Sequence, residues 1–184
     1  MGKLYRKDFL NHVDIKNIGI THGEDLCYNI QCFPYAKRII CIPENVYFYR
    51  FGGMTNQMNE KLLDDAVKAY QFKWKMIEKW NLQREKQYTA IEMLNFLFTY
   101  LENHVIYKKF TKSQLLQLLA KKVQLEEIQH AISVIDSEYI KESLIGYTKE
   151  EKWEELCDCI MDRGLKNRRK RNVKYFASQI LKWI

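Results

Sequence analysis

The sequence predicts a mainly α-helical protein in which a small α/β segment with a short β-hairpin is followed by a helical bundle. From about residue 58 onward, apolar residues recur at helical spacing almost without interruption. Both prolines and two short β-branched or aromatic runs fall before that point. The composition, with 47% hydrophobic and 14% aromatic residues, supports a compact core and excludes a disordered or low-complexity chain.

Residues 1–57 form the predicted α/β segment. The run from Glu24 to Phe33 predicts a short helix that ends at Pro34. Arg38–Ile42 and Val46–Tyr49 predict two strands around a tight connection. Because a lone hairpin is marginally stable in water and has open edges, we expect this segment to belong to a larger sheet domain.

The predicted bundle, residues 58–184, follows from apolar faces at helical spacing and from two helix starts. The faces are Leu63, Val67, Tyr70, Trp74 and Ile77; Ile91, Leu94, Leu97, Phe98, Leu101 and Val105; Leu125, Ile128, Ala131, Ile132, Ile135 and Tyr139; Trp153, Leu156 and Ile160; and, from about Asn172, Val173, Phe176, Ile180 and Ile184. Thr111 with Gln114, and Thr148 with Glu151, predict capping boxes that begin two of the helices.

The charge of the chain is concentrated in one place. Lys and Arg number 30 and Asp and Glu number 23, which gives a formal net charge of +7. Seven basic residues fall in a stretch without acids, which we call the basic segment: Arg163, Lys166, Arg168, Arg169, Lys170, Arg171 and Lys174. The rest of the chain is balanced, so the protein is a neutral body with one basic segment rather than a uniformly basic nucleic-acid coat.

Cysteine usage and hydropathy indicate a protein of the cytoplasm. The five cysteines are an odd set divided between the two ends of the chain, which is unlike a secreted disulfide framework. Cys157 and Cys159 lack a second ligand pair at zinc spacing, so we predict reduced thiols and no metal site. No apolar run approaches the roughly 20 residues that span a bilayer, and no signal peptide is evident.

Four fragments of the first segment occur in an order that resembles a known family. They are KLYRK at residues 3–7, GEDLCYN at 23–29, AKRI at 36–39 and VYFYRFGGMT at 46–55. Together they resemble the C-terminal part of the GT-A catalytic domain of family 2 glycosyltransferases, especially those that build polysaccharides of the cell envelope. The likeness implies that the α/β segment is a remnant of this Rossmann-like domain, and that the bundle corresponds to the helical extension of many members.

The resemblance assigns functional roles to individual residues. In these inverting enzymes a carboxylate removes the proton from the acceptor hydroxyl, which implies that Asp25 is the base and Glu24 an acceptor-binding neighbour. Arg50, Gly52–Gly53 and Thr55 correspond to the loop that closes over the donor diphosphate. The implied partners of the complete enzyme are a nucleotide sugar and a glycan or lipid-linked acceptor.

The sequence also departs from the family pattern. Members need an earlier nucleotide-binding half and an Asp-x-Asp motif that holds Mg²⁺ or Mn²⁺, and neither occurs here. Asp64–Asp65 lies instead in a helical pattern. We therefore expect a C-terminal fragment that binds no cofactor, is inactive alone, and forms a homodimer through its open sheet edge and exposed apolar face.

Local chemistry offers simpler explanations for the same residues. Thr21 and Glu24 can form a capping box, with Asp25 complementing the helix dipole. Arg50 can be a structural ion-pair residue, and His22 a surface residue.

The alternative function is a non-enzymatic helical interaction module. Arg168–Arg171 precede an apolar helical face, which suits a peripheral contact with the anionic inner face of the cell membrane. The same apolar residues can instead pack on the bundle. Thr111–Tyr139 also permits a nucleic-acid-binding helix-turn-helix, although Glu126 and Glu127 at the start of its second helix would repel phosphate.

Overall fold

A computed structural model describes residues 4–41, 58, 60–136 and 143–180, with side chains described as far as Val173. The α-helices in this part of the chain are α1 (Lys7–His12), α2 (Glu24–Cys32), α3 (Leu62–Lys79), α4 (Glu85–Tyr107), α5 (Lys112–Val123), α6 (Glu126–Val134), α7 (Leu144–Lys149) and α8 (Trp153–Ile180). A 3₁₀ turn, Phe33–Tyr35, follows α2. The prediction of a mainly α-helical protein is confirmed.

The predicted β-hairpin finds no support in the described residues. Residues 38–41 adopt neither helix nor strand, so the first predicted strand is wrong over this stretch. Ile39 and Ile40 are exposed, so no packing partner holds them in an extended ladder. Ile42 and Val46–Tyr49 lie outside the described residues. The homodimer expected from an open sheet edge stays a prediction.

The chain divides into two compact units, a first unit of Met1–Thr89 and a second unit of Ala90–Ile184. The boundary predicted after residue 57 marks a change of composition, whereas α3, which follows it, packs on α2 within the first unit. As a boundary between family domains, it remains a prediction.

In the first unit, the contact between α2 and α3 buries a small apolar core. Ile20, Cys27 and Ala69 are its buried centre, and Ile18 and Phe72 pack against them. The predicted apolar face of α3 is confirmed, because Leu63, Tyr70 and Ile77 are buried and Val67 and Trp74 are half-buried.

Two side-chain contacts hold the segments before and after α2 in the first unit. The Tyr5 hydroxyl donates a hydrogen bond to the buried Asn29 side chain. After the 3₁₀ turn, the Tyr35 ring meets the edge of the Trp80 ring at a centroid distance of 5.7 Å. These contacts attach the segments flanking α2 to the helices.

The second unit has a larger apolar core. Helices α5 and α7 pack on α8, and α6 packs on α5. The predicted face of α4 is confirmed from Leu94 to Val105. The next two predicted faces are confirmed in part: the half-buried members are Leu125, Ile132 and Trp153, Tyr139 lies outside the described residues, and the buried members are Ile128, Ala131, Ile135, Leu156 and Ile160. The largest fully buried side chains of this unit are Met93, Leu94, Leu97, Leu101, Val105, Leu115, Leu119, Ile128, Ile135, Leu156 and Ile160.

A glycine sets the distance between α4 and α8. A Cβ atom added to Gly164 would lie 2.7 Å from Val105 Cγ1 and 2.8 Å from Val105 Cβ. Only a residue without a side chain fits this close approach.

Of the two predicted capping boxes, one is present. The Thr111 amide donates to Gln114 Oε1 at 2.9 Å, and the Gln114 amide donates to Thr111 Oγ1 at 3.4 Å, so the first box is confirmed. The second prediction is wrong. Thr148 lies inside α7 and its hydroxyl donates to the Leu144 carbonyl, while Glu151, with a φ of 54°, separates α7 from α8.

Helix α8 also corrects the prediction of a separate last helix near Asn172. It is one continuous helix of 28 residues. The stretch between the two predicted helices lacks glycine and proline after Gly164 and is rich in Lys and Arg, which are good helix formers. Nothing in the sequence therefore ends the helix there.

Candidate functional site

The candidate site is the first turn of α2, which carries two adjacent acids. Gly23 precedes the helix with a φ of 82°, a left-handed conformation that glycine adopts without strain. Glu24 and Asp25 follow as the first two helical residues, and both are exposed. Asp25 Oδ1 accepts a hydrogen bond from the Leu26 amide at 2.8 Å. We call Glu24–Asp25 the acidic turn.

A buried carboxylate fixes the backbone immediately before the acidic turn. Asp65, in the first turn of α3, is only 4% exposed. Its Oδ2 accepts hydrogen bonds from the Thr21 hydroxyl at 2.7 Å, the Thr21 amide at 3.0 Å and the His22 amide at 3.1 Å. These donors lie more than 40 residues earlier in the chain, so Asp65 is a long-range clamp on the segment that leads into α2.

The electrostatics of Asp65 follow from these contacts. Burial, the largest single influence, acts to raise the pKa of its carboxyl group, because desolvation disfavours the charged form. The hydrogen bonds from Thr21 and His22 together outweigh burial, so the pKa of Asp65 is lowered. The clamp is therefore an ionised carboxylate at neutral pH, which makes its hydrogen bonds charge-assisted.

The structure contradicts one part of the simpler explanation of the acidic turn, the capping box, while Asp25 does lie in the first turn of α2, where it can complement the helix dipole. A Thr21–Glu24 capping box is absent, because Gly23 is the N-cap and makes no side-chain hydrogen bond to the helix. The Thr21 hydroxyl donates to Asp65 instead. The hydrogen bond of the Thr21 hydroxyl thus depends on a residue distant in sequence.

Sequence reasoning missed Asp65, although a signal was present. On α3 the buried positions include Leu62, Ala66 and Ala69, and Asp65 lies among them rather than on the solvent face. A carboxylate at a core position of an amphipathic helix requires hydrogen-bond donors from elsewhere in the fold. That requirement, applied to the helical pattern, would have indicated a buried polar contact at Asp65.

His22 is part of the same arrangement. Its side chain is 23% exposed, and its Nδ1 lies 3.6 Å from Asp65 Oδ2 and 3.4 Å from Thr21 Oγ1. The expected surface residue is therefore half-buried against the clamp. Chemically, the segment offers two solvent-accessible carboxylates on a turn whose approach is fixed by hydrogen bonds.

The remaining residues assigned by the resemblance cannot be placed near the acidic turn. Arg50, Gly52, Gly53 and Thr55 lie outside the described residues. Their role in closing over a donor stays a prediction.

The structure divides the basic segment into inward and outward side chains. Arg163 Nη2 lies 3.3 Å from Oε2 of Glu102, and Asn167 also donates to Glu102, whose side chain is largely buried. The Arg171 guanidinium lies 4.8 Å from the centre of the Tyr107 ring. Of the predicted contact residues Arg168–Arg171, only Arg169 and Lys170 are exposed, while Arg168 and Arg171 are half-buried.

The five cysteines, all in the described part of the chain, form no disulfide, and Cys157 is deeply buried. Burial raises the pKa of the Cys157 thiol to about 11, which keeps it protonated at neutral pH. Within the described ranges, no group of three or more His, Cys, Asp or Glu residues could hold a metal ion. No helix in those ranges is both long and apolar enough to cross a membrane.

The alternative helix-turn-helix has a partial counterpart. Helices α5 and α6 pack together across the two-residue connection Gln124–Leu125. However, Glu126 and Glu127 occupy the first turn of α6, and Glu126 is exposed. In a nucleic-acid complex their charges would face phosphate, so this arrangement does not favour DNA binding.

No protein-family model, curated protein or solved structure matches this chain.

Proposed function

We propose that the acidic turn is the acceptor-activating part of an inverting glycosyltransferase similar to family 2, with Asp25 as the base. The observation that carries the proposal is the position of Asp25, exposed in the first turn of α2 behind a segment held by a buried clamp. An exposed carboxylate on a fixed turn can meet an acceptor hydroxyl without reorganising the backbone.

The proposed reaction uses the carboxylate as a general base. Asp25 removes the proton of the acceptor hydroxyl as its oxygen attacks the anomeric carbon of a nucleotide sugar. The bond from that carbon to the diphosphate oxygen breaks, and the nucleoside diphosphate leaves with the electron pair. The positive end of the α2 dipole supports the negative charge that a base requires.

Neighbouring residues complete the acceptor and donor sides. Glu24 binds a second acceptor hydroxyl, since it lies beside Asp25 on the same exposed turn. Arg50, Gly52–Gly53 and Thr55 close over the diphosphate. The nucleotide-binding half and its Mg²⁺ or Mn²⁺ ligands belong, in this proposal, to a preceding part of a longer protein, and the 184-residue chain alone transfers no sugar.

The first experiment is to translate the genomic DNA upstream of the Met1 codon in the same frame. A continuation that contains a nucleotide-binding half with an Asp-x-Asp motif supports the proposal. An in-frame stop codon overturns it for the natural product, as does metal-dependent transfer by the purified 184-residue chain, which would show that no further half is needed.

The second experiment measures catalysis by that longer protein. Release of nucleoside diphosphate is followed with a panel of nucleotide sugars and acceptors. Asp25→Asn should lower kcat by about 10²- to 10⁴-fold, the usual effect of losing a general base. Asp64→Asn is the matched control, because Asp64 is also an exposed aspartate in the first turn of a helix. Equal activity of the two variants would remove Asp25 from the mechanism.

A further inference from the structure

The outward side of α8 carries a narrow row of exposed cations. Lys166, Arg169, Lys170 and Val173 are spaced by three, four and seven residues from the first, so they share one face of the helix. All four are exposed, and Val173 retains 68% of its accessible surface. We call these residues the cationic stripe.

Contacts beside the stripe and on the opposite side of α8 orient the helix. Gly164, on the opposite side, lies against Val105, and Glu102 receives Asn167 and the exposed Arg163, which lies next to the stripe. Rotation of α8 about its axis would break these contacts. The helix face that carries the stripe therefore has a fixed orientation.

Asp162, an exposed acid, lies one helical turn before Lys166 on the same face of α8 and offsets part of its charge, but no acid follows along the stripe. From Arg163 to the end of the chain the sequence contains no Asp or Glu. The acids of α8 lie in its first half, where Lys112 forms ion pairs with Glu154 at 2.7 Å and with Asp158 at 2.8 Å. The C-terminal half thus presents positive charge that attracts an anionic partner.

We propose that the cationic stripe docks on the surface of an anionic lipid bilayer. Charge alone would suit any polyanion, but the stripe ends in an exposed valine, and the sequence continues the same spacing with Phe176 and Ile180. Apolar side chains beside cations gain free energy at the boundary between headgroups and acyl chains, whereas a nucleic-acid backbone offers them nothing. This docking is independent of the proposed glycosyl transfer.

The test uses the full 184-residue chain and vesicles of phosphatidylcholine with and without phosphatidylglycerol. Co-sedimentation should occur with the anionic vesicles, be weak with pure phosphatidylcholine, and decrease at high salt because exposed charges are screened. The variant K166E/R169E/K170E should bind at least about 100-fold more weakly, since each basic residue near a membrane contributes about fivefold in affinity.

A matched variant separates the stripe from net charge. Lys68, Lys75 and Lys121 are exposed lysines on α3 and α5, so K68E/K75E/K121E changes the total charge equally. It should retain most of the binding. Val173→Ser should weaken vesicle binding severalfold and leave binding to a DNA or RNA duplex unchanged. Circular dichroism verifies that each variant is folded, and Arg169→Glu alone replaces the triple variant if that one unfolds.

Three results would overturn the proposal. Equal binding to neutral and anionic vesicles would remove the charge-dependent docking. Equal loss in the two triple variants would make the effect one of net charge. Tighter binding to a nucleic-acid duplex than to anionic vesicles, with no effect of Val173→Ser, would identify the partner as a nucleic acid.

Discussion

The acidic turn and the cationic stripe are both exposed, but different forces hold them in place. The acidic turn follows a segment bound by the hydrogen bonds of one buried carboxylate, Asp65. The stripe lies on a helix whose inner face packs closely through Gly164. Hydrogen bonds are directional and sensitive to protonation, whereas close packing depends on volume. Different perturbations should therefore displace the two surfaces.

Both units contain an apolar core and buried polar groups. The first unit buries Leu63, Tyr70 and Ile77 besides the cluster around Cys27, and its buried polar groups include Asp65 and Asn29. The second unit buries long rows of leucine and isoleucine from several helices. The second unit also buries Glu102, which binds Arg163 and Asn167. Variants that change volume between α4 and α8 should therefore act on the support of the stripe, and variants of Asp65 on the segment before the acidic turn. The following predictions test this division, beginning with the largest effect.

Leu101→Ala should produce the largest loss of stability. Leu101 is fully buried in α4, and removal of its side chain leaves a cavity among other large apolar residues. The free energy of unfolding should fall by about 2–5 kcal/mol, measured by urea denaturation. Leu82→Ala is the control, because Leu82 is 46% exposed and should lose much less. A similar loss in both variants would contradict the core described for the second unit.

Asp65→Ala should increase the mobility of Thr21 and His22, which precede the acidic turn. Loss of the carboxylate leaves the Thr21 and His22 amides without their acceptor, at a cost of about 1.5–3 kcal/mol for hydrogen bonds to a charged group. Hydrogen exchange at these two amides should accelerate strongly, with little change in α8. Asp64→Ala, at an exposed neighbouring position, should leave the exchange unchanged. If the Thr21 and His22 amides stay protected from exchange in Asp65→Ala, Asp65 does not hold this segment.

Gly164→Ala should destabilise the second unit by about 1–3 kcal/mol, because the new methyl group would overlap Val105. The sign of the change in unfolding free energy is informative, since replacing glycine by alanine in an unobstructed helix interior stabilises a protein by about 1 kcal/mol. Adding Val105→Ala should recover part of the loss, which a double-mutant cycle of unfolding free energies measures. A stabilising Gly164→Ala would show that α4 and α8 do not approach closely.

The smallest effect is the acid dependence of the clamp. Because the pKa of Asp65 is lowered in the folded protein, the unfolded chain binds more protons in the acid range. The stabilisation is complete above the unfolded value of about 3.9 and is lost as pH falls through the folded pKa. Asp65→Asn should flatten this part of the stability curve below about pH 4, whereas Asp64→Asn should not. Identical acid profiles would contradict the assignment.

Local sequence patterns predicted those parts of the fold that local forces determine. The faces of α3 and α4 and the Thr111 capping box follow from spacing and from neighbouring residues, and all are present. The start of α2 at Glu24 was likewise predictable from its charged first turn and Gly23. These features depend on residues within one or two helical turns of each other.

The errors arose where distant contacts or the absence of a stop signal decided the outcome. The alternative in which Thr21 caps α2 is wrong, because the Asp65 carboxylate, 44 residues away, accepts the hydrogen bond from its hydroxyl. The strand predicted from Arg38 has no partner over residues 38–41 and does not form there. Helix α8 continues past Asn172 because good helix formers join two apolar patterns that were predicted as separate helices. A pattern of nearby residues cannot report such contacts.

The distance between Thr21 and Asp65 also has a consequence during protein synthesis. At a translation rate of roughly 5–20 residues per second, the 44 residues that separate them take about 2–9 seconds to make. A helix the size of α2 forms within about a microsecond of its synthesis if it is stable at all. During that interval the amides of Thr21 and His22 are solvated by water. The segment that precedes the acidic turn is therefore fixed in place only after Asp65, at the start of α3, has been translated.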